Sequence, residues 1–255
     1  MDLNSYSLPQ YLTRSMVVQS YEVDFNQRFS ITSIFNHLQE IAWEHADKLS
    51  YGFNHLREKG WFWALSRVEV EFYRFPVWQE AVTLVTWPRG ADGIFALRDF
   101  EFYDSNGNKL IAATSSWLVV GVENRRPVRI AEWYLESDFA SRSALNRNAA
   151  KIPESIVQPA FTEQFEVRAG DIDMNLHVNN VRYIDWAYNT FTISSLRKYF
   201  PKKISVNFNS EAKEGDSILI NRKNIPGNST LININSRLEG EKNYCRIQFD
   251  WRNLE

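Results

Sequence analysis

The sequence is poor in several things, and each shortage removes a class of protein. Of 255 residues only one is cysteine, Cys245, which excludes an intrachain disulfide and the cysteine-rich zinc patterns and fits a reducing compartment. There is no basic surplus: the formal net charge is −2, so nucleic acid is not an expected partner, and any acidic partner must be met by a local patch. No apolar run approaches a membrane span. The start, Met1-Asp2-Leu3-Asn4, has neither a positive region ahead of an apolar core nor an Arg-rich transit composition. The expectation is a soluble, cytoplasmic protein without membrane contact. What is present is a globular mixture, 44% hydrophobic and 24% charged, enough for one large domain or two of modest size with proper cores.

Read in order, Val17 to Val23 is strand-like and breaks at Asn26-Gln27-Arg28. A helix is expected from about Ser30, because Ile34, Leu38, Ile41, His45 and Leu49 recur at three- and four-residue steps, and it ends before Tyr51-Gly52. Strands are expected at Phe62–Phe75, Ala81–Pro88, Phe95–Tyr103 and Leu110–Val122, separated by Gly-, Pro- and Asn-bearing turns. Glu123 to Gln158, with Arg125, Arg126, Arg129, Arg142 and Arg147, reads as a linker with a short helix and a solvated arginine surface.

The pattern then recurs. Tyr21-Glu22-Val23 matches Phe165-Glu166-Val167, and Asn36-His37 with Trp43 matches Asn179-Asn180 with Trp186. A second helix is expected to run to about Phe200, followed by strands at Ile204–Ala212, Ser217–Arg222, Thr230–Leu238 and Tyr244–Trp251. Val68 to Phe72 lines up with Ile204 to Phe208, and Trp78-Gln79-Glu80 with Glu214-Gly215-Asp216. Repeated order and landmarks argue for an internal duplication. The expected divisions are 1–130, a linker 131–158, and 159–255.

One stretch, Ala169 to Asp185, crowds acid, amide and imidazole groups together. Asp171, Asp173, Asn175 and His177 fall on every second position, so in an extended segment all four would share a face. Asn179 or Asn180 can cap the helix that follows. A helix start beside such a cluster suits an oxygen that gains negative charge, as in carbonyl chemistry. Asp171-x-Asp173-x-Asn175 has the spacing of a calcium loop, but Leu176 at the glycine position and Arg182 at the terminal acid position argue against one. His37, His45 and His55 lack such company; His45, on the helical stripe, reads as a core residue. Cys245, in the alternating run Tyr244 to Phe249, reads as a small buried apolar group.

Several of these segments carry a resemblance. Asn36 to Glu40, Arg74 to Trp78, Ser115 to Val119 and above all Asp173-Met174-Asn175-Leu176-His177-Val178-Asn179-Asn180-Val181-Arg182-Tyr183 resemble motifs of the acyl-ACP thioesterases (ACP, acyl carrier protein) of plants and bacteria. The resemblance covers nearly the whole chain. It implies an α+β fold, a tandem (double) hot-dog in which each half wraps an antiparallel sheet around a long helix. It also implies that Asp173, Asn175 and His177 are catalytic together with a Glu from a strand of the same domain, matched here by Glu211. Plant members carry a cysteine beside that Glu; this chain has Ala212.

The implied activity is hydrolysis of acyl-ACP to free fatty acid, ending fatty acid synthesis. Glu211 and His177 would position and deprotonate water, either serving as base, and Asp173 would orient one of them. Asn175 and the helix N–H groups would hold the oxyanion. Neither metal nor cofactor is called for. The first half has Phe29 to Ser33 in place of Asp-x-Asn-x-His, so it is expected to supply an acyl-chain pocket and no second site. The partner is an acidic carrier protein that local arginines would dock, and the chain is a monomer or homodimer. An acyl-CoA thioesterase of the hot-dog superfamily and a non-catalytic acyl-binding protein are the alternatives.

Overall fold

The computed structural model describes residues 10–130, 139–153, 158–238 and 242–253. The chain divides into two compact units, Met1–Ala149 and Ala150–Glu255. The first contains β1 (Leu12–Val17), α1 (Ile31–Lys48), α2 (Phe53–Glu58), β2 (Trp61–Phe72), β3 (Ala81–Asp92), β4 (Phe95–Asp104), β5 (Lys109–Gly121) and β6 (Pro127–Val128). The second contains β7 (Phe161–Glu166), α3 (Asn180–Asn189), α4 (Ile193–Leu196), β8 (Tyr199–Phe208), β9 (Ser217–Ile225), β10 (Ser229–Ser236) and β11 (Asn243–Asn253). Among the described residues no helix is long and apolar enough to cross a membrane.

In the first unit the strand order is β1-β3-β4-β5-β2, every neighbouring pair antiparallel, with β6 added on β5. The helix α1 begins where the Ser30 hydroxyl accepts the Ser33 N–H at 3.1 Å, a cap that satisfies one of the unpaired donors of the first turn. It buries Ile31, Ile34, Phe35, Leu38, Ile41, Ala42, His45 and Ala46, the stripe anticipated from the spacing. His45 is fully buried, its Nδ1 3.1 Å from Arg98 Nη1, which also donates to Thr86 Oγ1 at 3.1 Å. Strand β4 is buried on both faces from Ala96 to Tyr103. Its alternate residues include Arg98 on the side of α1, and Asp99, Glu101 and Tyr103 on the other.

That other face carries a correction. Arg142 and Arg147 are no free arginine surface: residues 139–149 lie along the sheet and neutralise its acids. Arg142 ion-pairs with the fully buried Glu101 and bonds Tyr103 Oη. Arg147 reaches Glu69 (Nε to Oε1, 2.7 Å) and Glu71 (Nη2 to Oε1, 2.5 Å). The Ala144 N–H donates to Asp99 Oδ2 at 2.8 Å, and Ala140, Ala144 and Leu145 pack on Val85, Trp87 and Tyr103. Three buried carboxylates, Glu69, Asp99 and Glu101, with the partly exposed Glu71 beside them, cannot share one sheet face without such partners. Arg125, Arg126 and Arg129 are exposed, as anticipated. The short helix expected within Glu123–Gln158 is absent from the described part of that segment; residues 131–138 and 154–157 lie outside it.

The second unit repeats the plan with strand order β8-β11-β10-β9-β7, again antiparallel throughout. Matching β7, β9, β10, β11 and β8 to β1, β3, β4, β5 and β2 gives the same order, so the duplication expected from the sequence is present in the topology. Two boundaries differ from expectation. The Val17–Val23 run is strand only to Val17, then a 3-10 turn over Ser20–Glu22. The second helix stops at Asn189 and not near Phe200, because Thr190 donates its hydroxyl to Ala187 O (2.8 Å) and Arg222 of β9 bonds the Thr190 carbonyl. Thr192 then caps the separate turn α4 through Ser195 N–H at 3.2 Å.

Removing Arg142 takes from the buried Glu101 one of its two cationic partners among the described residues, Lys109 being the other, and takes from Tyr103 Oη its bond. Arg142→Ala is therefore expected to lower unfolding free energy by about 2 kcal/mol, less than the loss of a sole buried partner would cost, measured as a fall in the urea midpoint.

Candidate active site

The polar stretch is not extended, and this corrects the alternating-face expectation. After a 3-10 turn over Ala169–Asp171 the chain makes a bridge between Ile172 and Val178 and doubles back between them. The Asp173 Oδ1 accepts the Asn175 N–H at 2.8 Å, Leu176 N–H donates to Asp173 O at 3.0 Å, and Asp173 N–H donates to His177 O at 2.8 Å. Leu176 takes φ 61° to complete the reversal. A short carboxylate that bonds the backbone two residues on competes with strand formation, and here it wins. Asp171, Asp173, Asn175 and His177 therefore do not share one face.

Each candidate residue has a distinct setting. Asp171 closes the 3-10 turn, accepting the Arg168 N–H at 3.0 Å and lying 3.8 Å from Arg182 Nε. Asp173 is committed to the turn. Asn175 is exposed at its tip. His177 and Glu211 do come together: Nε2 lies 3.2 Å from Oε2, with the imidazole 13% and the carboxylate side chain 44% exposed. Glu211 comes from the loop just beyond β8 and not from a strand, since the ladder ends at Phe208. Asn179 is the helix cap, its Oδ1 accepting Val181 N–H at 2.9 Å.

The contact between the two side chains follows from the backbone beneath them. Val178 N–H donates to Ala212 O at 2.9 Å, and Ala212 N–H donates to Tyr183 Oη at 3.0 Å. Val178 follows His177 and Ala212 follows Glu211, so the bonded peptides bring the preceding side chains together. The tyrosine is the residue that sequence reasoning missed: it was legible only as part of a motif, with no sign that its hydroxyl would meet a loop 29 residues on.

The first unit holds the same turn, which corrects the expected register between the halves. Asp24 Oδ1 accepts Asn26 N–H at 2.8 Å, Asp24 N–H donates to Arg28 O at 2.8 Å, Gln27 takes φ 59°, and Val23 bridges Phe29. Ser30 N–H bonds Glu22 O, as Asn179 N–H bonds Asp171 O. The counterpart of Asp-x-Asn-x-His is thus Asp24-x-Asn26-x-Arg28, not Phe29 to Ser33, and Ser30 rather than Asn36 matches Asn179. Phe29 N–H donates to Pro76 O at 2.8 Å, as Val178 does to Ala212, so Phe75 occupies the position of Glu211. His37 does have an acid neighbour, its Nε2 2.6 Å from Glu22 Oε1, while Glu22 Oε2 accepts Gln19 N–H at 2.8 Å. That pair braces the 3-10 turn against α1.

Elsewhere, Cys245 is fully buried in β11, and desolvation pushes its thiol well above the ordinary range, as expected for a packing residue. Among the described residues no cluster of three or more His, Cys, Asp or Glu side chains is arranged to hold a metal.

The acyl-ACP thioesterase N-terminal domain model matches residues 9–137 and the C-terminal domain model matches residues 154–253. The chain belongs to the acyl-ACP thioesterase family. It is 30% identical over 220 residues to the chloroplastic oleoyl-acyl carrier protein thioesterase 2 of Arabidopsis thaliana, covering 79% of this chain and 60% of that protein. It is 28% identical to the chloroplastic dodecanoyl-[acyl-carrier-protein] hydrolase of Cinnamomum camphora, over 94% of this chain and 67% of the relative. The chain thus spans about 60% of the length of the Arabidopsis oleoyl enzyme. Among solved structures, an acyl-ACP thioesterase from Bacteroides thetaiotaomicron superposes with TM-score 0.84 at 24% identity, covering 95% of this chain and 98% of that one. The 12:0-ACP thioesterase of Umbellularia californica gives 0.87 at 21%, covering 96% and 98%. The family's fold is therefore the double hot-dog seen here as two helix-and-sheet units.

Because Asp173 builds the turn, Asp173→Asn, which keeps an oxygen for the Asn175 N–H, is expected to retain more activity than Asp173→Ala. The alanine variant should fall by about tenfold or more, the scale of a misplaced acid/base group. Equal losses in the two variants would assign the charge itself the larger role.

Proposed function

We propose that the chain hydrolyses the thioester of acyl-ACP and releases free fatty acid, ending fatty acid synthesis. The observation that carries this reading is the His177–Glu211 contact of 3.2 Å beside the capped start of α3, in a member of a thioesterase family. The pair takes a proton from water as its oxygen forms a bond to the acyl carbon; Glu211 is the member more open to solvent. The Asn175 amide, exposed on the same turn, donates to the carbonyl oxygen as it becomes negative. The Val181 N–H already bonds Asn179, which narrows the helix's share in that task. Collapse of the tetrahedral adduct breaks the carbon–sulfur bond, and the carrier's sulfur leaves as a thiol after taking up the proton. The partner is an acyl-loaded carrier protein. We assign the enzyme to the cytoplasm, a reading the single buried cysteine supports.

The relatives carry names with different acyl groups, oleoyl, dodecanoyl and palmitoyl, so chain length is read by assay. A panel of acyl-ACPs of graded length, with one acyl group also presented on CoA, tests both carrier and chain. Failure to hydrolyse any acyl-ACP would sink the proposal, and a preference for CoA would replace the carrier. His177→Ala and Glu211→Ala are each expected to reduce turnover by about two orders of magnitude or more with circular dichroism unchanged.

The acyl chain is assigned to the first unit, whose α1 buries Ile34, Leu38 and Ile41. Enlarging Leu38 should shift the chain-length profile while turnover on the best substrate persists, since each methylene is worth about 0.8 kcal/mol of burial. An unchanged profile on the same panel would remove the pocket from that helix.

Water is the nucleophile. The only thiol is buried and its pKa raised, the opposite of what thiolate attack requires. Cys245→Ser is expected to keep most activity, and alkylating reagents to leave the folded enzyme uninhibited. Mass spectrometry detecting an acyl group on Cys245 would overturn direct water attack.

A further inference from the structure

Glu211 lies beyond the last ladder residue of β8, in a loop whose Asn209 and Ser210 N–H groups bond Tyr244 O of β11 at 2.8 and 3.2 Å. The next peptide fixes the loop. Ala212 is 0% exposed and held on both sides by one helix start: its carbonyl accepts the Val178 N–H and its N–H donates to Tyr183 Oη at 3.0 Å. Tyr183 is itself 2% exposed. Its ring meets Trp186 edge-on at 5.3 Å and Phe208 at 6.0 Å, so the hydroxyl is held at one spot. Desolvation drives its phenol far above the ordinary range. It therefore stays protonated and takes no proton from water.

The first unit provides an internal comparison. There the Phe29 N–H bonds Pro76 O at 2.8 Å, but Pro76 has no N–H to give, and the position matching Tyr183 is Ile34, which has no hydroxyl. The positions matching His177 and Glu211 are Arg28 and Phe75. Turn, cap and loop therefore form without a hydroxyl–amide bond, and that bond is found in the half that carries the acid–imidazole pair.

We propose that Tyr183 is a positioning residue that holds the Glu211 carboxylate against His177 through the Ala212 N–H. The inference rests on the thioesterase reading for its effect on rate, but not for its effect on geometry. Removing the hydroxyl leaves the Ala212 N–H without its acceptor, so the peptide is held by the Val178 bond alone while the ring contacts stay.

The test is Tyr183→Phe in the full chain. With acyl-ACP as substrate, kcat is expected to fall about tenfold or more while KM stays within about twofold, the pattern of a lost transition-state contact. In a Glu211→Ala background the same change should cost less than about twofold, because residues that act as a unit are not additive. The His177 ring-nitrogen resonances of Tyr183→Phe should move from the wild-type positions toward those of Glu211→Ala, a readout that needs no turnover. A folded Tyr183→Phe with wild-type kcat and wild-type resonances would overturn the proposal, as would a loss equally large in both backgrounds. If Tyr183→Phe does not fold, Ala212→Pro, which copies Pro76, removes the same bond from the other side and must give the same split between kcat and KM. A wild-type chain inactive on every acyl-ACP would overturn the thioesterase reading, and the resonances alone would then decide the positioning role.

Discussion

The hydrogen bond from the residue before a helix cap to the loop after the first long strand of each sheet is the constraint on which the site depends. It occurs twice, Val178 to Ala212 and Phe29 to Pro76. In each case a carboxylate-centred turn delivers the donor and a capping side chain starts the helix immediately afterwards. A backbone bond of this kind contributes only about 1 kcal/mol of net stability. Its larger consequence is geometric, because it brings together the two residues that precede the bonded peptides.

The two halves show how little must change for one scaffold to carry different chemistry. Backbone turn, cap and strand order are shared, while His177 and Glu211 are matched by Arg28 and Phe75. Phe75 stacks on Phe72 at 4.6 Å and is spent on packing, whereas Glu211 remains 44% exposed. The first unit has a different burden, an acidic sheet face that residues 139–149 neutralise together with Arg89 and Lys109. Burying those carboxylates costs far more than any surface pairing returns, so the segment joining the halves is bound to the first by chemistry that its sequence position does not suggest.

Much of the fold was legible because it rests on local periodicity. The stripe from Ile34 to Leu49 anticipated α1 to within a residue or two, and the strand pairs after it followed from runs bounded by turn residues. The end of α3 was not legible, since the stop depends on Arg222, from a strand far along the chain, reaching the Thr190 carbonyl. The register between the front parts of the halves was not legible either. Asp24-x-Asn26 matches Asp173-x-Asn175 in geometry, but its partner Arg28 breaks the residue pattern that a reader would follow.

The sequence by itself determined the family motif, the α+β duplication and the identities of His177 and Glu211 as candidates, because residue type, spacing and repeat order are properties of the chain as written. Only the tertiary structure decided that Asp173 is spent on a turn, that the polar residues do not share a face, and that Glu211 is aimed from a loop. Those outcomes turn on a competition between local side-chain bonding and extended backbone, and on contacts between segments remote in sequence. A left-handed Leu176 and a peptide clamped between Val178 and Tyr183 exist only once helix, turn and loop have met.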